Sequence, residues 1–539
     1  MFDENIHIAV IDDGINEKYY NNCRLKYNIE ISNELNVIER KIYDKHIYSH
    51  GTICAAIIHK YSPEACISSI KILNENGQAE KQKLVRAIEW CIDKRINIIN
   101  LSLGTSYFYD YEIIFDITKK AIKKGIIIIA ASSNSGLITY PAYFTDVISV
   151  KCDREDALKN EEYVYNYYPV DGVDITACSN HLIDTTFGGN EYTGVCNSYA
   201  AAFITSKVYN ILCQNKNINL QNINMELSKG AVNYNSNCPH LINIKKEIDW
   251  IDNAIIFKFD KLNTELKYNK FNVIGIVNLE YESEDKLVND ILKYLNSNID
   301  TVIIDANTIE FKDKNYCPNK VLKELCKINK NIVYLDDREI NKNILLDLQK
   351  NKFKLWHPSI VNHIDLPICE EIDIPVITIH DFTQIRLLNS MYKIQEYFRN
   401  DEYNIISVVN KCYGKLLGFE YIPEFNKKMS QRLDVKYLEF ITALYNPDIM
   451  LIGLNNFDEY INEINNFFEI DISILIIEKF DDQIIQFLKS GRNRKLIVIS
   501  DEEEIPVLNT NNCIKVFNYS IFNELYKLYE FIICLYNEG

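Results

Sequence analysis

The sequence lacks the features that mark several common classes of protein. It has 58 lysines and arginines against 75 aspartates and glutamates, a formal net charge of −17, so it offers no excess of positive charge to nucleic acid. No apolar run approaches the roughly 18 residues that a membrane-spanning helix needs. The phosphate-binding and dinucleotide-binding patterns GxxxxGK(S/T) and GxGxxG are absent. We therefore expect no nucleic acid, no membrane and no cofactor among its partners.

Paired cysteines are also missing. The 15 cysteines are scattered without a CxxC pair or a regular spacing, which in a chain of 539 residues indicates reduced thiols rather than a disulfide framework. The first residues are acidic, with Asp3 and Glu4 soon after Met1, and they do not form the basic and apolar segments of a secretory signal. Both observations predict a cytoplasmic protein.

Short apolar runs alternate with amphipathic helical patterns along most of the chain. This alternation is typical of an α/β fold in which helices cover both faces of a parallel sheet. The pattern weakens between about residues 252 and 270 and then resumes. We predict one domain over residues 1–250, followed by a Rossmann-like α/β region made of two lobes, 271–370 and 371–539.

Three segments of the first domain carry side chains suited to catalysis. Asp12 ends an apolar run that predicts a buried strand, and α/β proteins bind ligands at the carboxyl ends of parallel strands. His50 precedes a helix of small residues, and Ser198 precedes an alanine-rich one. Each has an ordinary alternative: a strand-end aspartate in a turn, a structural histidine and a helix-capping serine. Together they supply an acid, a base and a nucleophile in the order Asp, His, Ser.

These segments resemble the motifs of the subtilase family. They read Asp-Asp-Gly at 12–14, His-Gly-Thr at 50–52 and Cys-Asn-Ser-Tyr-Ala at 196–200, against Asp-Ser/Thr-Gly, His-Gly-Thr and Gly-Thr-Ser-Met-Ala in the family. The resemblance implies a subtilisin-like parallel sheet and serine-type endopeptidase activity. It also implies the roles of the three side chains: Ser198 is the nucleophile, His50 its general base, and Asp12 the carboxylate that orients the imidazole.

Further segments between these motifs resemble the same family. Asn134 follows a strand at the position of the oxyanion-hole asparagine, which implies that its amide stabilises the tetrahedral oxyanion. A Ser-Leu-Gly run resembles the strand that pairs with an extended substrate, and a Tyr-Pro-Ala segment at 140–142 matches as well. The resemblance implies a set of five substrate-binding residues: Ser102, Leu103, Gly104, Ser132 and Ser133.

Several positions depart from the family pattern. Asp13 stands where serine or threonine is usual, Ser133 replaces a glycine, Cys196-Asn197 replaces Gly-Thr, and Ala202 replaces a proline. None of these changes removes a reacting group, so they bear on substrate range and turnover. They also support an alternative function, a catalytically weak pseudoprotease that binds peptides or acts as a scaffold. The wall expected for the S1 subsite is small and uncharged, and it shows no ionic anchor for the P1 residue of a substrate.

The function that we expect is an intracellular serine endopeptidase with a narrow substrate range. Asp12 lies too close to Met1 for the signal and folding pro-domain of secreted subtilases, and an unrestrained protease in the cytosol would be harmful. We predict that the substrate is a precursor or leader peptide, for instance a ribosomally made one, and that the C-terminal half helps to recognise it. No loop has the Asp/Asn spacing of a dedicated calcium site, so we expect no metal.

Overall fold

The strands and helices of the computed structural model fall into two units, residues Met1–Trp250 and Ile251–Gly539. The structure describes residues 6–18, 25–41, 43, 48–167, 169, 171–185, 189–215, 217–234, 247–258, 271–278, 284–308, 318–336, 354–358, 373–383, 386–422, 433–455, 470–479, 484, 495–500, 513–518 and 524–537.

A nine-stranded sheet forms the centre of the first unit. The strands of this unit are β1 (His7–Asp12), β2 (Leu25–Ile31), β3 (Val37–Glu39), β4 (Cys66–Lys71), β5 (Ile98–Leu101), β6 (Ile127–Ala131), β7 (Ile148–Cys152), β8 (Tyr163–Tyr165), β9 (Ile175–Ala177), β10 (Leu182–Asp184) and β11 (Asn190–Tyr192). The order in the sheet is β3-β2-β4-β1-β5-β6-β7-β9-β8, and β10 pairs with β11 in a separate hairpin. The inner pairs are parallel, whereas β2–β3 and β8–β9 at the edges are antiparallel.

Helices cover both faces of this sheet. They are α1 (His50–Tyr61), α2 (Lys81–Asp93), α3 (Tyr111–Lys123), α4 (Asn197–Gln214) and α5 (Leu220–Gly230). Helices α1 and α4 pack together against one face, where they share a core with Ile8 and Val10 of β1. The alternate residues of β1, Ala9 and Ile11, are fully buried as well, and α2 packs against α3. Because both sets of side chains are covered, the central strands are apolar throughout instead of alternating.

Small side chains bring the starts of α1 and α4 close to the sheet. Ala200, Ala201 and Ala202 of α4 are fully buried, and Ala55 of α1 is almost completely buried. With so little side-chain volume between helix and strand, the first turns of both helices approach the carboxyl ends of the central strands. This edge of the sheet is where ligand-binding side chains gather in parallel α/β proteins.

Two further parallel sheets make up the second unit. The strands are β12 (Asn253–Lys258), β13 (Asn272–Asn278), β14 (Thr301–Asp305), β15 (Asn331–Leu335), β16 (Leu355–Trp356), β17 (Val376–Asp381), β18 (Ile405–Val409), β19 (Glu420–Tyr421), β20 (Ile449–Asn455), β21 (Ile472–Ile477), β22 (Lys495–Ser500) and β23 (Cys513–Phe517). Their orders are β13-β12-β14-β15-β16 and β19-β18-β20-β17-β21-β22-β23. The helices are α6 (Glu284–Tyr294), α7 (Pro318–Leu325), α8 (Leu387–Asn400), α9 (Leu433–Tyr445) and α10 (Glu524–Asn537).

The observed elements confirm the predicted α/β class, and they place a central strand where the sequence predicts a domain boundary. Strand β12 lies within the segment 252–270 and pairs with both β13 and β14. Its apolar run is only four residues long and stands between an aspartate-asparagine pair and a lysine, so its pattern alone is weak. None of the helices in the described ranges is both long and apolar enough to cross a bilayer.

Candidate active site

The carboxylate of Asp12 holds the imidazole of His50 at the carboxyl end of β1. Asp12 is completely buried, and its two carboxylate oxygens lie 3.0 and 2.9 Å from Nδ1 of His50. Strand β1 is hydrogen-bonded between β4 and β5, so the backbone that carries Asp12 is held on both sides. A buried carboxylate at Nδ1 fixes the proton on that nitrogen and leaves Nε2 as the acceptor.

Asp13 has a separate role at the start of α1. Its carboxylate accepts hydrogen bonds from the backbone N–H groups of His50, at 3.0 Å, and Gly51, at 2.8 Å. A carboxylate at a helix N-terminus satisfies donors that have no partner inside the helix. Burial raises the pKa of Asp13, and the neighbouring Asp12 carboxylate raises it further. The unusual aspartate therefore anchors the backbone of His50 and leaves the contact between Asp12 and the imidazole intact.

The charge state of His50 follows from its neighbours. Burial favours the neutral imidazole, while Cys54, Asp12 and Cys196 favour the imidazolium, and the balance raises the pKa of His50 above its ordinary value. Burial raises the pKa of Cys54 itself to about 12, so that thiol is protonated at neutral pH. The partners that act on His50 near neutrality are therefore Asp12 and Cys196. The ring of Tyr199 stacks on the imidazole at 5.5 Å between centroids.

Ser198 lies in the first turn of α4 and is almost completely buried. Its hydroxyl oxygen lies 3.4 Å from the carbonyl oxygen of Ser102, to which it donates a long hydrogen bond. This hydrogen bond places Ser198 at the carboxyl end of β5, next to the carboxyl end of β1 that carries Asp12. The structure shows the contact between Asp12 and His50 directly, and the role of Ser198 beside them stays a prediction.

Asn197 fixes the loop that presents the serine, a role that the sequence analysis did not predict. Its Oδ1 accepts a hydrogen bond from the backbone N–H of Cys152 at 2.8 Å. Its Nδ2 donates to the carbonyl oxygens of Ser132 and Ser133, both at 3.0 Å. One amide side chain therefore ties the start of α4 to the ends of β6 and β7.

Asn134 lies in the exposed loop after β6 with its amide directed at the start of α4. Its Oδ1 accepts a hydrogen bond from the backbone N–H of Asn197 at 3.2 Å, which orients the side chain. Its Nδ2 then faces Cys196, 3.9 Å from Sγ. Arg154 donates to the backbone carbonyl of Asn134 and holds the loop from the other side. The amide N–H of Asn134 and the backbone N–H of Ser198 can converge on an oxyanion placed between them.

Comparison with known families agrees with this fold. The Subtilase family model matches residues 3–245. These residues form a subtilase domain. The match ends close to the end of the first unit at Trp250.

Known relatives cover parts of the subtilase domain. The minor extracellular protease Epr of Bacillus subtilis (strain 168) is 34% identical over 28% of this chain and 24% of that protein. Subtilisin DY of Bacillus licheniformis is 23% identical over 42% of this chain and 84% of that protein. The solved structure named S41 Psychrophilic Protease is 22% identical, covers 41% of this chain and 82% of that chain, and has a TM-score of 0.35. The chain spans less than two thirds of the length of several curated relatives, Epr among them.

Cys196 places a thiol in the centre of the subtilase site. Its sulfur lies 3.9 Å from the Asn134 amide nitrogen, and it is near enough to His50 and Ser198 for both to influence its ionisation. Burial favours the neutral thiol, but the contacts with His50 and Ser198 outweigh it and lower the pKa of Cys196 from about 9 to about 7. The sequence showed that cysteine replaces the usual glycine, and it could not show where the sulfur lies.

The predicted substrate-binding residues lie in two segments that follow the neighbouring strands β5 and β6, and we refer to these segments as the first and second walls. Ser102, Leu103 and Gly104 follow β5, and Ser132 and Ser133 follow β6. A Cβ atom at Gly104 would lie 2.4 Å from the Thr139 methyl group and 2.6 Å from the Tyr140 carbonyl oxygen, so the backbone there approaches the next segment closely. Backbone hydrogen bonds of 2.8 and 3.0 Å between residues 105 and 140 hold the two segments at this short distance.

A cavity of about 370 Å³ lies beside the second wall and contains charged groups. Ser132, Ser133 and Thr139 line it together with Lys151, Asp153, Arg154, Glu155 and Asp171. Lys151 and Asp171 form an ion pair at 2.5 Å. Ser132 and Ser133 are uncharged, as the sequence shows, but other residues that line the cavity carry charge. The charged groups come from β7 and the loops that follow it, which the sequence pattern did not connect with this wall.

One group of potential metal ligands exists among the described residues, and it does not suit a metal ion. Donor atoms of Asp12, His50 and Cys54 lie within 4.8 Å of one another. Thiolates bind metal ions, whereas burial keeps the thiol of Cys54 protonated. The Asp12 carboxylate is already bound to the imidazole. The three groups are better explained as parts of the proton-transfer machinery and its packing.

Proposed function

We propose that the subtilase domain is a serine endopeptidase in which Ser198 is the nucleophile, His50 the general base and Asp12 the orienting carboxylate. The observation that carries this proposal is the buried Asp12 carboxylate against Nδ1 of His50, at the edge of the sheet near which Ser198 lies in the first turn of α4. Serine hydroxyls are weak nucleophiles until a base lies within hydrogen-bond reach. We infer that Nε2 of His50 is this base once the Ser198 hydroxyl turns away from the Ser102 carbonyl.

The proposed reaction begins when a substrate carbonyl enters between Asn134 and Ser198. The Ser198 hydroxyl leaves the Ser102 carbonyl, gives its proton to Nε2 of His50 and attacks the carbonyl carbon. The Asn134 amide and the Ser198 backbone N–H stabilise the oxyanion that forms. His50 then protonates the departing amine, and water hydrolyses the acyl-enzyme by the same steps in reverse.

A fluorophosphonate probe tests this proposal directly, because it reacts with serine only when the catalytic base activates the hydroxyl. We expect the full-length protein to become labelled at Ser198 and the Ser198→Ala variant to stay unlabelled. Peptide mapping by mass spectrometry identifies the labelled residue. Ser206 in α4 offers a matched control, since Ser206→Ala removes a hydroxyl that bonds the carbonyl oxygen of Phe203 within the helix core. Equal labelling of the wild-type and Ser198→Ala proteins would contradict the proposal.

We further propose that the S1 subsite accepts only small P1 side chains. Thr139 is buried, and its methyl group abuts the backbone of Gly104 on the first wall. Ser133 adds a side chain to the second wall where the family has glycine. The Thr139 methyl group and the Ser133 side chain therefore leave less room for a P1 side chain than glycine at both positions would leave.

Replacing Thr139 with glycine should widen this subsite. We expect the ratio of kcat/KM for a P1-phenylalanine peptide over a P1-alanine peptide to rise by about tenfold or more, since one or two methyl groups in a pocket change discrimination by this amount. Hydrolysis of matched fluorogenic peptides measures the ratio. Thr145→Gly, in the neighbouring turn and outside the cavity, should leave it unchanged. An unchanged ratio in Thr139→Gly would show that Thr139 does not limit the subsite.

We propose that the natural substrate is a specific precursor or leader peptide and that the protein works in the cytoplasm. The restricted S1 subsite supports a narrow substrate range, and ten cysteines in the described ranges are free thiols, as suits a reducing compartment. Cleavage of a proteome-derived peptide library tests the first part. We expect few products that share a motif of several positions, whereas broad digestion would overturn the proposal.

A pseudoprotease is the second candidate, and the position of Cys196 is the observation that favours it. Its sulfur already contacts the groups that catalysis needs, namely His50, Ser198 and the Asn134 amide. A scaffold of this kind would bind peptides equally well in the wild-type and Ser198→Ala proteins and would cleave none of them. Fluorescence anisotropy with the library peptides, combined with the labelling experiment, separates the two functions.

A further inference from the structure

The sulfur of Cys196 lies where the proposed reaction needs the substrate oxygen. Cys196 is the N-cap residue of α4, two positions before Ser198. The Asn134 amide nitrogen lies 3.9 Å from its Sγ, and His50 and Ser198 are near enough to influence its ionisation. Asn134 and the Ser198 backbone are the donors proposed above for the oxyanion. A substrate carbonyl can reach both donors only after the thiol has moved away.

The surroundings of this sulfur favour the thiolate. The His50 side chain carries a positive charge when protonated, and α4 is an 18-residue helix whose N-terminus faces Cys196. Cations and helix N-termini both stabilise thiolates. Burial instead raises the pKa of Cys54, Cys66, Cys91, Cys152, Cys178 and Cys326. Cys196 is also only half-buried, so reagents can reach it.

We propose that Cys196 is a thiol-modification site at which a low-molecular-weight disulfide forms a mixed disulfide and so closes the Ser198 centre. The closure rests on the proposed serine endopeptidase function, whereas the reactivity of the thiol does not. The Cys196 thiolate attacks one sulfur of the disulfide, and the new sulfur–sulfur bond forms as the old one breaks. The departing thiolate takes the electron pair of the broken bond and a proton from water. A thiol reductant reverses the exchange.

The closure follows from the contacts of the sulfur. Any group attached to Sγ lies between the Asn134 amide and Ser198, where the substrate carbonyl must bind. The free thiolate also holds a proton on His50, because an anion beside the imidazole favours the imidazolium. When a substrate displaces the thiolate, that proton can pass from His50 to the sulfur, which leaves a neutral imidazole for Ser198. A mixed disulfide cannot move out of the site as easily as a thiol.

The rate of exchange with the neutral probe 2-hydroxyethyl disulfide tests the first half of the proposal. Cys213 is a matched internal control because it is an exposed cysteine at the opposite end of the same helix, where the dipole is reversed. At pH 7 a thiol of pKa about 7 is about half ionised, and the thiolate is the attacking species in disulfide exchange. We expect Cys196 to react about fivefold faster than Cys213 at pH 7.

The same comparison gives a distinctive pH profile. The rate at Cys196 should level off above about pH 8, because a thiol of pKa about 7 is then almost fully ionised. Mass spectrometry of quenched digests measures both sites in one sample. The Cys213→Ser variant should retain the reaction at Cys196, and Cys196→Ala should lose it. A rate at Cys196 that stays below that at Cys213 from pH 6 to pH 9 would overturn the proposal.

Fluorophosphonate labelling tests the closure. We expect protein carrying the Cys196 adduct to label at Ser198 at least tenfold more slowly than untreated protein, and dithiothreitol to restore the rate. In Cys196→Ala the disulfide should not change the variant's own labelling rate. Undiminished labelling of the Cys196 adduct would refute the closure. Absence of labelling in untreated protein would instead refute the serine endopeptidase function. In that case the closure is tested by whether formation of the Cys196 adduct displaces a bound library peptide.

Discussion

The Asp12→Asn variant should lose about 10⁴-fold in kcat, roughly 5.4 kcal/mol of transition-state stabilisation. The Asp12 carboxylate accepts from Nδ1 of His50 inside a fully buried site. An asparagine amide in the same place can donate to Nδ1, which moves the imidazole proton to Nε2. The nitrogen that faces Ser198 would then be a donor and unable to accept the serine proton. Initial rates on the best library peptide, and the rate of fluorophosphonate labelling, measure the loss.

The adjacent Asp13 provides the matched control for this variant. Asp13→Asn also replaces one partly buried carboxylate by an amide, but the side chain binds the backbone at the start of α1 and not the imidazole. One amide oxygen can still accept from one of those two N–H groups, so we expect less than about tenfold loss of kcat. Thermal unfolding confirms that both variants fold. Similar losses in both variants would mean that the two carboxylates merely hold α1 in place.

The central strands of the first unit, β1 and β4 to β7, could be predicted from the sequence because they carry their own signal. Three of these strands, at residues 98–101, 127–131 and 148–152, are short and consist mostly of branched apolar residues. Helices bury both faces of these strands. Such runs are typical of central parallel strands. Strand β12 escaped prediction because its short apolar run follows Asp252 and Asn253 and ends at Lys258, and only its pairing with β13 and β14 reveals its place.

The candidate catalytic side chains could be predicted because each stands beside a recognisable turn from strand or loop to helix. The contacts that support them could not, since they join residues far apart in the chain. Asn197 reaches Cys152 and the ends of β6, and the sequence shows only an asparagine in place of threonine. The direction of the Cys196 side chain depends in the same way on the positions of His50 and Asn134, which three-dimensional packing sets.

Removal of the Asn134 amide has the second largest expected effect. Asn134→Ala should lower kcat by about 10²–10³-fold with little change in KM, because the amide binds the oxyanion of the transition state and not the ground-state peptide. The side chain is oriented for this role by the hydrogen bond from the Asn197 backbone. Initial-rate kinetics of Asn134→Ala on the same peptide separate kcat from KM.

Ser135→Ala in the same exposed loop is the control for Asn134→Ala, and we expect it to lose less than about threefold, as is usual for a surface hydroxyl. The Ser135 hydroxyl contacts only the Ser133 hydroxyl among the described residues, at 2.6 Å. A loss in Asn134→Ala that appears in KM alone would assign the amide to substrate binding.

If Asn134 also holds the Cys196 sulfur in the resting site, as the 3.9 Å contact indicates, the Asn134→Ala variant should hold this sulfur less firmly. The loss of kcat on replacing Asn134 should then be larger in the Cys196→Ala background than in the wild type, because no sulfur remains there for the Asn134→Ala change to release.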